Sequence, residues 1–296
     1  MTLTTVIALV RTMRPPQWVK NLFVAATALF AKEHTAKAPW LVLDAILGTA
    51  VFILISGAVY VMNDVLDVEK DRLHPVRSRR PIASGAISVQ AAVAGGLLAL
   101  AIAFVAGAAL GQAFVAMATG YLVLNIFYSS VFKKVAWLDV LAIATGFLLR
   151  ILAGCFAIGL APSEISYYLL LCTFLVALFL AVGKRRHELA VIGSADQRAV
   201  LGQYTIGHLD LALYVVGGAT VVAYTLYTLS ERTKTYFGTW RLVFTVPFVL
   251  VGIVRYIVLV RRSDEKQSPT DMMIRDVPFV VNLLVWGAVV VFVIYG

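Results

Sequence analysis

The sequence predicts an all-α integral membrane protein, a bundle of nine transmembrane helices in a single polytopic domain spanning residues 1–296. Apolar residues make up 61% of the chain and charged residues only 14%, which leaves too little polar surface for a soluble protein of this length. The apolar residues also cluster in stretches of about 17 to 23, close to the roughly 20 residues that a helix needs to cross the hydrocarbon. No soluble domain or low-complexity linker is apparent between them.

Nine such stretches are predicted as membrane helices. The first is the least regular, because Lys20 and Asn21 interrupt it early, and a tight hairpin between Gly107 and Gln112 joins the third to the fourth. Residues 1–16 show no small-residue cleavage site after an apolar core, so no signal peptide is expected. The nine stretches cover about residues 18–31, 41–62, 88–107, 112–129, 138–160, 165–183, 209–229, 241–260 and 278–295.

The basic residues predict the orientation of these helices. With nine spans, the N-terminal segment and the segments after every second helix share one side, and they carry 19 of the 25 lysines and arginines, Arg198 and Lys266 included. Because cytoplasmic segments are enriched in basic residues, we expect a multi-pass protein of the inner (plasma) membrane with its N-terminus inside and its C-terminus outside. The net charge of +9 then favours anionic lipid headgroups and phosphorylated substrates over nucleic acid.

An acidic segment follows the second predicted helix directly. Asp64, Asp67 and Asp71 are spaced i, i+3 and i+7, so a continuing helix would place all three on one face. Carboxylates at this spacing suit Mg²⁺, which keeps several waters and binds through one or two carboxylates together with substrate phosphates. Arg77 and Arg80 follow in a short loop. Carboxylates that can bind a metal are thus followed by arginines that can bind phosphate, close to a membrane surface. This combination predicts a site for a diphosphate.

This acidic pattern, Asn63-Asp64-x-x-Asp67-x-x-x-Asp71, resembles the first signature of the UbiA superfamily of intramembrane prenyltransferases. The resemblance implies about nine helices around a central cavity open to the cytoplasm and to lipid. Four further motifs resemble a phosphoribosyltransferase branch of that superfamily. They are Arg14-Pro-x-Gln17-Trp18-x-Lys20-Asn21, Tyr128-Ser129 with Lys133, Gly-Phe-Leu-Leu-Arg150, and Gly183-Lys184-Arg185-Arg186-His187-Glu188.

The resemblance implies Mg²⁺-dependent transfer of 5-phosphoribosyl from phosphoribosyl diphosphate (PRPP) to decaprenyl phosphate, a polyprenyl phosphate. Diphosphate would leave, and the product would be a precursor of cell-wall arabinan. Enzymes of this superfamily that ionise a prenyl diphosphate usually carry a second acidic motif after the sixth helix. Here that position is mostly basic, Lys184 to Arg186, and a basic cluster neutralises phosphate rather than recruiting a second metal.

The expected roles follow from the metal site and the cations. Asp64 and Asp67 are predicted to be catalytic and, with Asn63, to hold Mg²⁺ on the leaving diphosphate. The lipid phosphate is already anionic, so no general base is required. Arg150, inside the fifth helix, is either functional or a structural tie to a neighbouring helix, and we leave it outside the site. The residues expected to bind substrate are Lys20, Asn21, Asn63, Asp71, Arg77, Arg80, Tyr128, Lys133, Asp139, Lys184, Arg185 and Arg186.

Two alternatives remain open at this stage. A prenyltransferase of the same fold would move a prenyl group from prenyl diphosphate to an aromatic acceptor, with no requirement for the cations at 184–186. A transporter of an anionic lipid or metabolite would need polar residues in the middle of several helices, where the sequence offers few besides Arg150. The enzyme hypotheses require the acids and cations to share one cytoplasmic pocket. The sequence is also compatible with a homo-oligomer in the membrane.

Overall fold

The computed structural model describes residues 3–191, 200–262 and 269–296, and within them every regular element is helical. Arg198 and Lys266, two of the cations counted above, lie outside the described residues. Short 3₁₀ segments connect several of the α-helices. The α-helices are α1 Leu3–Thr12, α2 Leu22–Phe30, α3 Lys32–Lys37, α4 Leu41–Leu66, α5 Val68–Arg72, α6 Val89–Ala108, α7 Gln112–Ser130, α8 Leu138–Ala157, α9 Tyr167–Val191, α10 Ile206–Leu229, α11 Glu231–Phe237, α12 Val246–Arg261, α13 Pro269–Arg275 and α14 Val277–Tyr295.

Eight helical segments in the described residues are long and apolar enough to cross a membrane. They correspond to the second to ninth predicted spans, so the all-α membrane fold is confirmed. The first predicted span, 18–31, is instead a 3₁₀ segment, Pro15–Asn21, followed by the nine residues of α2. The two prolines that open this segment have no N–H to donate, which suits a helix start but not a helix interior.

The helices form two compact units. The first comprises Met1–Ser130 and Leu149–Ile165, and the second comprises Val131–Leu148 and Ser166–Gly296. Helix α8 contributes residues to both units. The expectation of one polytopic domain stays a prediction.

In the first unit, helix α4 supplies much of the core. Val51, Phe52 and Ile55 are fully buried, and the Phe52 ring lies 5.9 Å from that of Phe114 in α7 and 5.3 Å from that of Tyr121. Such aromatic pairs add to the stability gained from burying apolar area. The centre of this unit is therefore an apolar cluster that holds α4 and α7 together.

In the second unit, helices α9, α10 and α12 share a core that includes Phe179, Leu209, Leu213 and Tyr256. The Tyr256 hydroxyl donates a hydrogen bond to the Leu180 carbonyl at 2.9 Å. This bond satisfies the one polar atom of a buried ring and fixes the contact between α9 and α12. The carboxyl-terminal half of α9, with its charged residues, is held in place by this core.

Candidate active site

In the first unit, the acidic segment runs from the end of α4 into α5. Helix α4 ends at Leu66, but the Asp67 N–H still bonds to the Asn63 carbonyl at 3.0 Å, and the Asp71 N–H bonds to the Asp67 carbonyl at 2.8 Å. Helical hydrogen bonding therefore continues across the break. Asp64 and Asp71 face the same side, as the i, i+7 spacing predicted.

One arginine joins these two acids. Arg80 Nη1 lies 3.1 Å from Asp64 Oδ1 and 2.6 Å from Asp71 Oδ2, and both carboxylates are only 2% exposed. A guanidinium can satisfy two carboxylates at once because its N–H donors form a rigid planar fork. Arg80 thus fixes the segment that follows α5 against the end of α4.

A second arginine reaches the same carboxylate from the N-terminal side. Arg14 Nη2 lies 2.5 Å from Asp64 Oδ1, and the guanidinium carbon stands 4.8 Å from the centre of the Tyr60 ring. Arg14 has a left-handed backbone, φ 56°, immediately before the 3₁₀ segment. Sequence reasoning placed Arg14 in a motif but not in the site. The available signal was that Arg14 opens the same short motif that ends in Lys20 and Asn21.

The donor set around Asp64 fits a hard cation. Both arginines contact Oδ1, whereas Oδ2 is buried and accepts no hydrogen bond from the part of the chain that the structure describes. A buried carboxylate oxygen without a donor is costly unless a cation or a donor completes it. Asn63 and Asp67, also oxygen donors, are both partly exposed. Across the described ranges, no three His, Cys, Asp or Glu side chains are grouped to hold a metal ion.

A buried polar network lies deeper in the first unit. Arg150 donates Nε–H to Asn21 Oδ1 at 3.0 Å and an Nη2–H to the Tyr121 hydroxyl at 2.6 Å. The Asn21 amide also donates to Ser56 Oγ at 3.1 Å. Asn21 was predicted to contact substrate, but it is buried and both ends of its amide have protein partners. Its role as a substrate ligand stays a prediction. The neighbouring Lys20 remains partly exposed.

The other predicted ligands of the first unit are more accessible. Arg77 is exposed, in a turn where His74 Nδ1 accepts hydrogen bonds from the Val76 N–H and the Arg77 N–H at 3.1 and 3.3 Å. Tyr128, near the end of α7, is partly exposed. The roles of Arg77 and Tyr128 as substrate ligands stay predictions.

In the second unit, Asp139 and Arg185 form a buried ion pair. Arg185 Nε lies 2.6 Å from Asp139 Oδ2, with the two side chains 2% and 0% exposed. Arg185 Nη1 also lies 2.5 Å from Glu188 Oε2. Both residues were predicted to bind substrate, but their charges are already paired within the protein. Opening a buried pair leaves an uncompensated charge. The substrate-binding role of both residues stays a prediction.

Arg186 and Lys184 differ from Arg185 in their surroundings. Arg186 donates to Asp210 Oδ1 at 3.1 Å and to the Val260 carbonyl at 3.2 Å, which ties α9 to α10 and α12. Lys184 is 44% exposed, and its Nζ lies 4.0 Å from the carboxylate of Glu188. Of these three cations, Lys184 is therefore the best placed to meet a phosphate from outside the helix.

Two residues that sequence reasoning missed hold the segment before α8. Gln203 accepts a hydrogen bond from the Ala136 N–H at 3.0 Å and donates to the Lys134 carbonyl at 2.9 Å. The Tyr204 hydroxyl accepts from the Trp137 N–H at 2.7 Å and donates to Asp139 Oδ1 at 2.5 Å. Because 67 residues separate Gln203 from Ala136, no local sequence pattern announces the contact. Lys133, in the segment held, is partly exposed.

A comparison with family models identifies the chain. The model described as the UbiA prenyltransferase family matches residues 21–283. The chain belongs to this family. UbiA membership makes it a multi-pass membrane transferase, and it confirms the resemblance drawn from the motifs at 14–188, which the match extends nearly to the end of the chain.

Curated relatives of this UbiA chain share a name. A decaprenyl-phosphate phosphoribosyltransferase of Corynebacterium glutamicum is 32% identical over 293 residues, covering 97% of the chain and 86% of the relative. Proteins of the same name from Mycolicibacterium smegmatis and Mycobacterium tuberculosis are 31% and 33% identical. They are matched over 94% and 96% of the chain and 89% and 93% of their own length. The likeness therefore covers nearly complete proteins.

Solved structures share the fold. A UbiA homologue from Archaeoglobus fulgidus bound to GPP and Mg²⁺ superposes with a TM-score of 0.70 at 21% identity, covering 98% of the chain and all of that structure. A digeranylgeranylglyceryl phosphate synthase gives 0.67 at 14% identity, with 98% and 97% covered. At such identities, the likeness supports the UbiA helical fold and nothing finer.

Proposed function

We propose that this UbiA chain transfers 5-phosphoribosyl from PRPP to a polyprenyl phosphate, decaprenyl phosphate in the first instance, and releases diphosphate. The product would be decaprenylphosphoryl-5-phosphoribose, a precursor of cell-wall arabinan. The observation that carries the proposal is the near-full-length identity of 31–33% to relatives that bear the name of this activity. UbiA family membership, as a transferase, speaks against the transporter hypothesis.

The charged residues after the sixth predicted span also support phosphoribosyl transfer, although fewer of these cations are accessible than the sequence predicted. Arg185 and Arg186 have acidic partners, so the basic cluster after the sixth predicted span does not present three cations to a phosphate. Glu188, the acid of that motif, is itself paired with Arg185. The described residues therefore offer no second acidic metal site there, and Lys184 is left as a cation for phosphate. This pattern suits a substrate pair with a single metal-bound diphosphate better than it suits a second metal.

Mg²⁺ would be held by Asp64 and Asp67 with Asn63, and the buried Asp64 Oδ2 is the oxygen that most requires a cation. When bound, Mg²⁺ offsets the charge that accumulates on a departing diphosphate. Arg80 and Arg14 hold the Asp64 carboxylate in place, which limits the reorganisation needed as that charge develops. Asp71 contributes by orienting Arg80.

The accessible cations are the proposed phosphate ligands: Lys20, Arg77, Lys133 and Lys184. The ribose anomeric carbon becomes electron-poor as the diphosphate leaves, and the anionic lipid phosphate attacks it without a protein base. Tyr128 is proposed as a further substrate contact. We propose that these groups lie at the cytoplasmic face of the plasma membrane, with the N-terminus inside and the C-terminus outside. This orientation counts residues 15–30, the 3₁₀ segment and α2 together, as the first of nine crossings, and on that count 19 of the 25 basic residues of the sequence are cytoplasmic.

The test uses purified protein in detergent with PRPP, decaprenyl phosphate and Mg²⁺. We expect equimolar release of diphosphate and formation of a phosphoribosylated lipid, detected by mass spectrometry. Asp64→Asn should lower the rate by about 100-fold or more, because the carboxylate supports a charge that develops in the transition state. Asp44→Asn, at the opposite end of α4, is the matched control and should keep the wild-type rate.

Two outcomes would overturn the proposal. One is turnover of a prenyl diphosphate with an aromatic acceptor by protein that is inactive on PRPP, which would establish the prenyltransferase alternative. The other is an Asp64→Asn variant that keeps the wild-type rate with PRPP, which would remove the proposed metal ligand from the reaction.

A further inference from the structure

The segment of residues 131–137, which joins α7 to α8, has a feature that its own sequence does not explain. Trp137 has a positive φ of 68° and is not a glycine. A bulky residue in the left-handed region is strained, and such a conformation persists only where the surroundings hold it. Contacts from outside the segment must therefore stabilise the backbone at Trp137.

Two consecutive residues, Gln203 and Tyr204, hold segment 131–137 by hydrogen bonds, and we call them the 203–204 clamp. The Gln203 amide binds the backbone on both sides of Val135, at the Ala136 N–H and the Lys134 carbonyl, at 3.0 and 2.9 Å. One donor and one acceptor fix which way the amide points. The clamp thus holds the segment by main-chain groups, whatever side chains the segment carries.

Tyr204 makes two contacts with Trp137 and one with Asp139. Its hydroxyl accepts the Trp137 N–H at 2.7 Å and donates to Asp139 Oδ1 at 2.5 Å. Its ring packs edge-on against the Trp137 ring, with centres 5.2 Å apart. Burial raises the pKa of Tyr204, and the hydrogen bond to Asp139 raises it further. The hydroxyl therefore keeps its proton and remains a donor at neutral pH.

The clamp ends on a buried ion pair. Asp139, which accepts the hydrogen bond from the Tyr204 hydroxyl, is also 2.6 Å from Arg185, and both carboxylate and guanidinium are buried. Lys133 lies directly before the clamped carbonyl of Lys134, within the short 3₁₀ turn Phe132–Lys134. A hydrogen bond to that carbonyl fixes the turn, and with it the direction in which the Lys133 side chain leaves the backbone.

We propose that Gln203 and Tyr204 are positioning residues that set Lys133 as the ligand of a substrate phosphate. The proposal rests on the proposed function. A lysine has a long side chain that is costly to order, so a turn held in advance reduces the freedom lost when phosphate binds. The clamp supplies that preorganisation from a distant part of the same unit.

The first experiment tests the clamp without substrate. Hydrogen–deuterium exchange of the purified protein should show faster exchange of the Ala136 and Trp137 amides in Gln203→Ala and Tyr204→Phe than in wild type. Gln90→Ala in α6 and Tyr214→Phe in α10, which change the same residue types at exposed sites, should leave exchange at 134–137 unchanged. If the Ala136 and Trp137 amides exchange at the wild-type rate in both clamp variants, Gln203 and Tyr204 do not hold this segment and the proposal is wrong.

The second experiment tests the link to Lys133 by steady-state kinetics with PRPP and decaprenyl phosphate. Lys133→Ala should raise the KM of one of the two substrates by roughly tenfold, whereas Lys134→Ala, which keeps the clamped carbonyl, should not. Gln203→Ala should raise the same KM by a similar factor, with a smaller change in kcat. In the Lys133→Ala background, Gln203→Ala should have no further effect on that KM.

Equal effects of Gln203→Ala in both backgrounds would overturn the positioning role, since a merely structural loss acts independently of Lys133. These results are separable from the proposed function. Wild-type protein that turns over prenyl diphosphate and not PRPP would refute the proposed function. Hydrogen exchange would still decide whether the clamp exists.

Discussion

Arg150 donates its Nε–H to Asn21 Oδ1 at 3.0 Å, from the interior of helix α8. A charged side chain at such a depth is expensive in a membrane, and it is usually retained for a defined partner. Here the partners are the amide of Asn21 and the hydroxyl of Tyr121, both buried. Of the two roles left open for Arg150, the structure favours the tie to neighbouring elements. Through Asn21, the tie reaches the 3₁₀ segment that carries Lys20.

Replacing Arg150 is therefore expected to destabilise the protein. Arg150→Met leaves Asn21 Oδ1 and the Tyr121 hydroxyl without their donor, which should cost about 1–3 kcal/mol of unfolding free energy. Thermal unfolding in detergent measures the effect. Arg79→Met, in an exposed turn of the same unit, is the control and should leave the unfolding temperature nearly unchanged. Equal unfolding temperatures for the two variants would contradict the tie.

The pair of Asp139 and Arg185 is expected to show strong coupling. Arg185→Met alone should cost about 3–5 kcal/mol because it leaves a buried carboxylate without its cation. The double variant Asp139→Asn with Arg185→Met should recover part of that loss. The exposed pair of Glu231 and Lys234, 2.8 Å apart, is the control and should couple by less than about 1 kcal/mol. Additive losses at Asp139 and Arg185 would show that the pair is not formed.

Gly154 is required where α8 passes α2. A Cβ added at Gly154 would lie 2.3 Å from the Val24 carbonyl oxygen, a backbone atom that has little room to shift. We expect Gly154→Ala to lower stability by about 1–3 kcal/mol through overpacking. Gly218 in α10 has nothing within 4 Å of such a Cβ. Gly218→Ala should instead stabilise its helix by roughly 0.5–1 kcal/mol. Thermal unfolding of the two variants provides the measurement. A Gly154→Ala variant with the unfolding temperature of wild type would refute this packing.

Asp276 is expected to give stability that depends on pH. Its carboxylate pairs with Arg255 at 2.6 and 2.9 Å and accepts the Phe279 N–H at the start of α14. The bond from Arg255 holds the pKa of Asp276 below its ordinary value of 3.8. A carboxyl with a lowered pKa stabilises the fold above the ordinary value, and this contribution is lost as the pH falls through the folded-state pKa.

Asp276→Asn keeps the cap acceptor but removes the charge. The difference in unfolding free energy between wild type and this variant should be about 1 kcal/mol at neutral pH. It should shrink only below about pH 4, as wild type takes up its proton. Unfolding temperatures of both proteins across this range provide the measurement. A difference that stays constant into strong acid would contradict the lowered pKa.

Much of the fold and part of the site could be predicted from the sequence. The apolar stretches predicted eight of the helices, because a helix in lipid must bond its own backbone and be apolar throughout. The acidic spacing predicted that Asp64 and Asp71 would share a face, since helical hydrogen bonding continues from α4 into α5 and the relationship is local. The first span was less predictable, because Pro15 and Pro16 favour a 3₁₀ start over a longer α-helix.

The sequence by itself determined the membrane class, the family and the chemical type of the acidic segment, all of which depend on composition and local spacing. Only the tertiary structure decided which charged residues serve the protein itself. Arg185 and Asp139 are 46 residues apart, and Arg150 and Asn21 are 129 apart, so no local pattern reveals them as partners. A buried charge must be paired to be tolerated. Arg150, Arg185 and Arg186 therefore bind partners within the protein, whereas Lys184 is among the cations accessible to a phosphate.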